Sequence, residues 1–189
     1  IGHSITLSLA VLQLATPNIM VVEAMIGFTI ALVAIENIAC QSQQSNQAAL
    51  LSGCALGLLF LLSAISGQGP SLISLFGLAL FSACYLKLSN SKAMALRLRP
   101  LITLGFGLIH GFGFAGALSE IGLPESDVPT ALLTFNLGVE AGQLFVVFVS
   151  FTALWALKRF AEHLTRPVIV TATYGIGITA SYWFIERLF

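Results

Sequence analysis

Seven apolar runs, most of them near the length of a membrane span, follow one another with only short polar breaks between them. A helix needs roughly 20 apolar residues to cross the hydrocarbon of a bilayer. In lipid every backbone N–H and C=O must be satisfied inside the segment, so successive runs of this kind specify helices. The runs lie at roughly 1–15, 19–39, 48–66, 71–88, 100–118, 129–155 and 167–186. "TPN" at 16–18, "QSQQSNQ" at 41–47 and "GQGP" at 67–70 break the pattern, and Pro100, Pro129 and Pro167 read as helix starts. Composition excludes the water-soluble alternative. Of the residues 57% are hydrophobic and 8% charged, where a soluble domain carries about 25% charged. The expected fold class is all-α: one polytopic transmembrane bundle of about seven helices over residues 1–189, its first helix truncated at the start.

The cations set an orientation. Lys87, Lys92, Arg97 and Arg99 crowd the 87–99 loop, and Lys158, Arg159 and Arg166 crowd the 158–166 loop. By the positive-inside rule both loops are cytoplasmic. The loop between them holds Glu120, Glu125 and Asp127 without a cation, so it lies outside, as does the C-terminus. The expected location is a bacterial inner membrane, crossed several times. The formal net charge is zero, which argues against a nucleic-acid face. Cys40, Cys54 and Cys84 form no CxxC pair and read as small packing residues.

Ionisable residues at membrane depth face the bundle interior and are functional candidates by default, since a charge facing lipid costs at least about 2.5 kcal/mol. In "LLTFNLGVEAGQLFVVFVSF", Asn136, Glu140 and Gln143 recur at helical spacing and fall within about 60° of one another. They form a polar stripe on an apolar helix. Gly138 and Gly142 make a GxxxG pair on a different face, suited to close contact with a neighbour. The bland alternative for the stripe is an interhelical hydrogen-bond network that only fixes packing. His110 sits among glycines in "GFGLIHGFGFAGAL", where Gly107 and Gly111 form a second GxxxG. A neutral imidazole suits a borderline divalent metal or a proton relay, or it simply bonds a neighbouring carbonyl. His3 in "IGHSITLSL" is a weaker candidate, and Ser4 and Thr6 beside it are expected to bond their own helix. Glu23 and Asn37 share a face of the second helix to within about 40°. Glu36 lies near its cytoplasmic end. Glu36 and Asn37 are expected to reach interfacial water, while Glu23 lines an outer vestibule or meets headgroups.

Four stretches, "GHSITL", "VEAMIGFTIALVAIEN", "GLIHGFGFAGAL" and "FNLGVEAGQL", resemble in order the signatures of the HupE/UreJ membrane proteins. The resemblance covers the chain except roughly residues 40–98, which read as an extra helical pair. Members of that family accompany hydrogenase and urease and are regarded as permeases for nickel or cobalt. The resemblance implies a transmembrane bundle and places His3, His110, Asn136 and Glu140 in signature positions. The family's N-terminal helix carries an HxxxGxDH-type motif that this sequence lacks, in keeping with a truncated start. The function expected is a permease for Ni2+ or Co2+ that supplies metalloenzyme maturation, with His3, His110, Glu140 and Asn136 as metal residues. Glu23, Gln143, Asn37 and Glu36 would line the pathway or support the ligands. No nucleotide-binding loop is visible, so transport would be passive or gradient-coupled.

The partners expected are the lipid bilayer and the metal ion, with a second copy of the chain or metalloenzyme maturation proteins beside them. No permanently bound cofactor is expected, and no enzymatic activity. Two readings compete. A non-transporting assembly protein for a metalloenzyme would need no metal site. A haem-binding redox protein would need both imidazoles in one slot across two helices.

Overall fold

A computed structural model gives seven α-helices and no strand among the described residues, which are 2–42, 44–67, 69–89, 92–122 and 127–189. The helices are α1 (Gly2–Val11), α2 (Ile19–Ser42), α3 (Ser45–Ser66), α4 (Leu72–Ser89), α5 (Lys92–Ile121), α6 (Val128–Phe160) and α7 (Glu162–Glu186). Six of them, all but α1, are long and apolar enough to cross a membrane. Glu125 of the acidic loop and the side chain of Glu120 fall outside the described residues.

Local chemistry explains several boundaries. Gln13 takes a left-handed backbone at φ 58° and ends α1. The Leu14 N–H then donates to the Leu9 carbonyl and the Gln13 N–H to that of Ala10, the two bonds of a Schellman cap. Asn18 opens α2: its side-chain oxygen accepts from the Met20 N–H at 2.9 Å. Gly67, left-handed at φ 65°, closes α3. Pro129 sits in the first turn of α6, where a missing N–H is harmless.

Pro100 and Pro167 depart from expectation. Each lies inside its helix, because α5 already begins at Lys92 and α7 at Glu162. A proline removes one N–H and frees one carbonyl a turn earlier. Membrane helices tolerate this, because neighbouring helices, side chains or local backbone adjustment satisfy the freed group.

α2 is the hub. It packs on α7, α5, α3 and α4, and ten of its residues are buried. Its contact with α7 is tight at Gly27, where an added Cβ would lie 2.9 Å from the Phe184 backbone nitrogen. Ala24, Phe28 and Leu32 of α2 form the core with Ala49 and Leu56 of α3, Tyr85 and Leu86 of α4, and Phe184 of α7. α1 runs parallel to α5 and touches it closely: Gly107 lies against Gly2 and His3, and a Cβ at Gly111 would overlap the His3 carbonyl oxygen and the Thr6 hydroxyl. The Thr6 hydroxyl reaches the Gly2 and His3 carbonyls of its own helix at 3.4 Å, as expected, and makes its shortest bond across to the Leu108 carbonyl at 2.7 Å. The Gly107–Gly111 pair thus serves as the close-approach surface its spacing suggests.

The second glycine pair does not. A Cβ at Gly138 or Gly142 would meet nothing within 4 Å. α6 buries no residue and rests mainly on α7, so its glycine face turns away from the bundle. The reason is positional. Placing the polar stripe toward the interior leaves the glycines, on another face, without a neighbouring helix.

Candidate functional site

An open cleft of about 910 Å3 is lined by α1, α2, α5, α6 and α7. Its walls are mostly apolar, and the polar groups on them are few. His3 comes from α1, Thr29 and Asn37 from α2, Thr103 and His110 from α5, Glu140 and Gln143 from α6, and Thr173 from α7. Five of the residues singled out in the sequence therefore meet around one space.

Each is placed by its helix. His110 projects from the glycine-lined face of α5 toward α2, where Nε2 lies 3.0 Å from the Thr29 hydroxyl. Thr29 is 1% exposed and also donates to the Ile26 carbonyl at 2.9 Å. The His3 ring stands edge-on to Phe114 with centroids 6.0 Å apart, and its Nε2 is buried with no partner. An orphaned imidazole nitrogen on a cavity wall is an unused donor or acceptor. Glu140 and Gln143 are exposed on α6 and face this space, one turn of helix apart.

Three predicted residues lie elsewhere. Asn136 does not line the cavity: its amide donates to the Leu132 carbonyl of its own helix at 3.0 Å, and Oδ1 is buried without a partner. Glu23 forms an ion pair with Arg187 at the end of α7, Nε to Oε2 at 2.8 Å, without hydrogen-bond alignment. Glu36 was expected to reach interfacial water, but it is 5% exposed. The Tyr85 hydroxyl donates to Oε2 at 2.5 Å and the Arg99 guanidinium stands 3.5 Å from Oε1. Burial under α4 and α5 closes the route to water that its place near a helix end suggested.

The shared cavity is not a preformed metal cage. Among the described residues no three His, Cys, Asp or Glu side chains gather closely enough to hold a metal ion. The histidines come from α1 and α5 and Glu140 from α6, and all three line the same space.

Sequence reasoning missed Thr29, Tyr85 and Arg187. The first two were legible only as a hydroxyl in an apolar run, with no local sign of the partner. Arg187 had a weak signal: it is a lone cation at the end of the last helix, at the level where Glu23 needs one.

A helical membrane protein with an open cleft between its helices that carries two imidazoles, a carboxylate and amides is the class this arrangement defines. The family model for the HupE / UreJ protein matches residues 1–66 and 71–187, and the chain belongs to that family. The match runs through α3 and α4 as well, the pair on which the motifs quoted above were silent. No curated protein and no solved structure matches the chain.

Proposed function

We propose that the protein is a permease for a divalent transition-metal ion, Ni2+ or Co2+, and that the cavity is its transit site. One observation carries the reading: in a bundle this apolar, His3, His110, Glu140, Gln143 and Asn37 face the same space. Imidazole nitrogen and carboxylate suit borderline divalent ions, whereas copper(I) favours thiolate and thioether. The orphaned His3 Nε2 supports the reading, because a buried unpaired nitrogen is retained where something binds it.

In this mechanism the imidazoles provide nitrogen ligands and Glu140 neutralises charge as the ion sheds water. Gln143 and Asn37 hold the remaining water in place. The ligands stand on different helices, and α6 is held mainly by α7. Movement of α6 toward α1 and α5 would complete the ligand set, and movement away would release the ion. With the basic helix ends and turns at 87–99 and 158–166 on the cytoplasmic side, the cavity's extension to Asn37 and Pro100 faces inward. The bacterial inner membrane fits this orientation. Labelling cysteines introduced at the exposed Arg97 and Glu162, in a chain whose Cys40, Cys54 and Cys84 are replaced, from each side of the membrane tests it.

The second reading is an accessory protein that assembles a metalloenzyme without transporting metal. The absence of a tight three-residue ligand group among the described residues favours it. Nickel-63 entry into cells separates the two. Under the permease reading Glu140→Gln and His110→Gln each reduce uptake at least tenfold at equal membrane abundance. Uptake equal to wild type in both variants rejects the transit site and leaves the accessory role.

A further inference from the structure

The contact between Thr29 and His110 fixes more than a packing distance. A hydroxyl has one proton and two lone pairs. The Thr29 proton is directed to the Ile26 carbonyl at 2.9 Å, the backbone bond that a threonine in a helix commonly makes. With its proton on that carbonyl, Thr29 offers His110 Nε2, 3.0 Å away, a lone pair, and the Nε2–H tautomer completes the contact; with Nε2 unprotonated the same hydroxyl would turn to donate to it. In a neutral imidazole only one nitrogen is protonated, so in the Nε2–H tautomer Nδ1 keeps its lone pair. Nδ1 has no hydrogen-bond partner among the described residues, and His110 lies on the cavity wall.

We propose that Thr29 is a positioning residue that locks His110 in the Nε2–H tautomer and leaves Nδ1 as the basic atom offered to the cavity. The surroundings suit a lock. Thr29 is β-branched, which stiffens χ1 in a helix, and it is 1% exposed on the hub helix of the bundle. α5 approaches α2 closely one turn further on, where a Cβ at Gly113 would stand 2.6 Å from the Ile26 side chain. Hydroxyl and ring are therefore carried by two helices that pack on each other, α2 and α5. The ligand class for Nδ1 is a divalent cation of borderline softness, and in this respect the inference rests on the permease reading. The tautomer itself does not.

The test is solid-state NMR of the full chain in lipid bilayers, labelled with 13C,15N-histidine and kept metal-free at a pH where imidazole is neutral. His110→Gln identifies the His110 signals. The expected result is a single Nε2–H tautomer in wild type and in Thr29→Ser, and a mixture in Thr29→Val, which has the same shape without the hydroxyl. An Nδ1–H form in wild type overturns the proposal even if Thr29→Val does not fold. A Thr29→Val spectrum with one unchanged tautomer overturns it equally. Adding nickel(II) chloride broadens the His110 resonances if the ion reaches Nδ1. Unbroadened resonances with the tautomer intact reject the metal reading and leave the lock standing. In uptake assays Thr29→Val raises the apparent KM for nickel by about tenfold, the usual scale for losing a residue that orients a ligand, and Thr29→Ser restores it. A residue that only filled space would not distinguish valine from serine in this way.

Discussion

Tyr85 and Arg99 between them engage the Glu36 carboxylate, and that engagement separates Glu36 from the polar residues of the cavity. A carboxylate buried this far needs partners, because an unpaired buried charge is far more costly than a paired one. The Tyr85→Phe substitution removes the shorter of its two contacts and nothing else. The expected loss is about 1.5 kcal/mol, low for a hydrogen bond to a charged group and near the upper end between membrane helices. Steric-trap unfolding in bicelles measures it, and nickel uptake per folded molecule stays at the wild-type value. A fall in uptake without a fall in stability would return Glu36 to the transport pathway. At this scale the sequence showed which residues are polar at membrane depth, and their spacing showed which share a face. It could not show the partner. Glu36 and Asn37 are neighbours in sequence, yet one is sealed beneath Tyr85 and the other is exposed on the cavity wall. Only the approach of α4 and α5 decides between them.

Two glycine pairs of the same spacing have opposite fates, and the difference is a matter of which helix stands opposite. Gly111 admits the backbone of α1, so Gly111→Ala forces α1 and α5 apart or strains both. The expected destabilisation is about 1–3 kcal/mol, as for other overpacked contacts, with loss of uptake as His3 is displaced. Gly142→Ala places its methyl in open space. It is expected to be neutral or stabilising by about 0.5–1 kcal/mol, since alanine favours a helix interior. Thermal unfolding of both variants in one detergent provides the comparison. A Gly142→Ala variant that loses stability would mean that another helix, or another copy of the chain, covers that face. The existence and type of the six long helices were legible from apolar run length alone. Their ends were less so. The rule that proline starts a helix failed at 100 and 167, where charged turns on the N-terminal side of each proline are already helical. Which GxxxG would be used was not legible either, because spacing describes one surface and packing needs two.

On the scale of the molecule, α2 organises one half and α6 hardly participates. α6 has 33 residues and buries none of them, so at 1.5 Å per residue it is about 50 Å long. The hydrocarbon of a typical bilayer is about 30 Å thick. A helix that exceeds this thickness tilts, or pushes its ends into the headgroups, and packing against neighbours normally sets the angle. Here the neighbour is chiefly α7. The surrounding lipid therefore has a large share in setting the tilt of α6. Since α6 carries Glu140 and Gln143, its tilt sets the width of the space they share with the histidines. Under the permease reading acyl-chain length becomes a control on passage: nickel uptake into proteoliposomes should vary several-fold between short- and long-chain phosphatidylcholine, while His110→Gln remains inactive in both. Equal rates across thicknesses would show that α6 is clamped. If the protein is the permease proposed above, a cell that thickened its membrane would, by the same coupling, retune its metal supply without touching the gene.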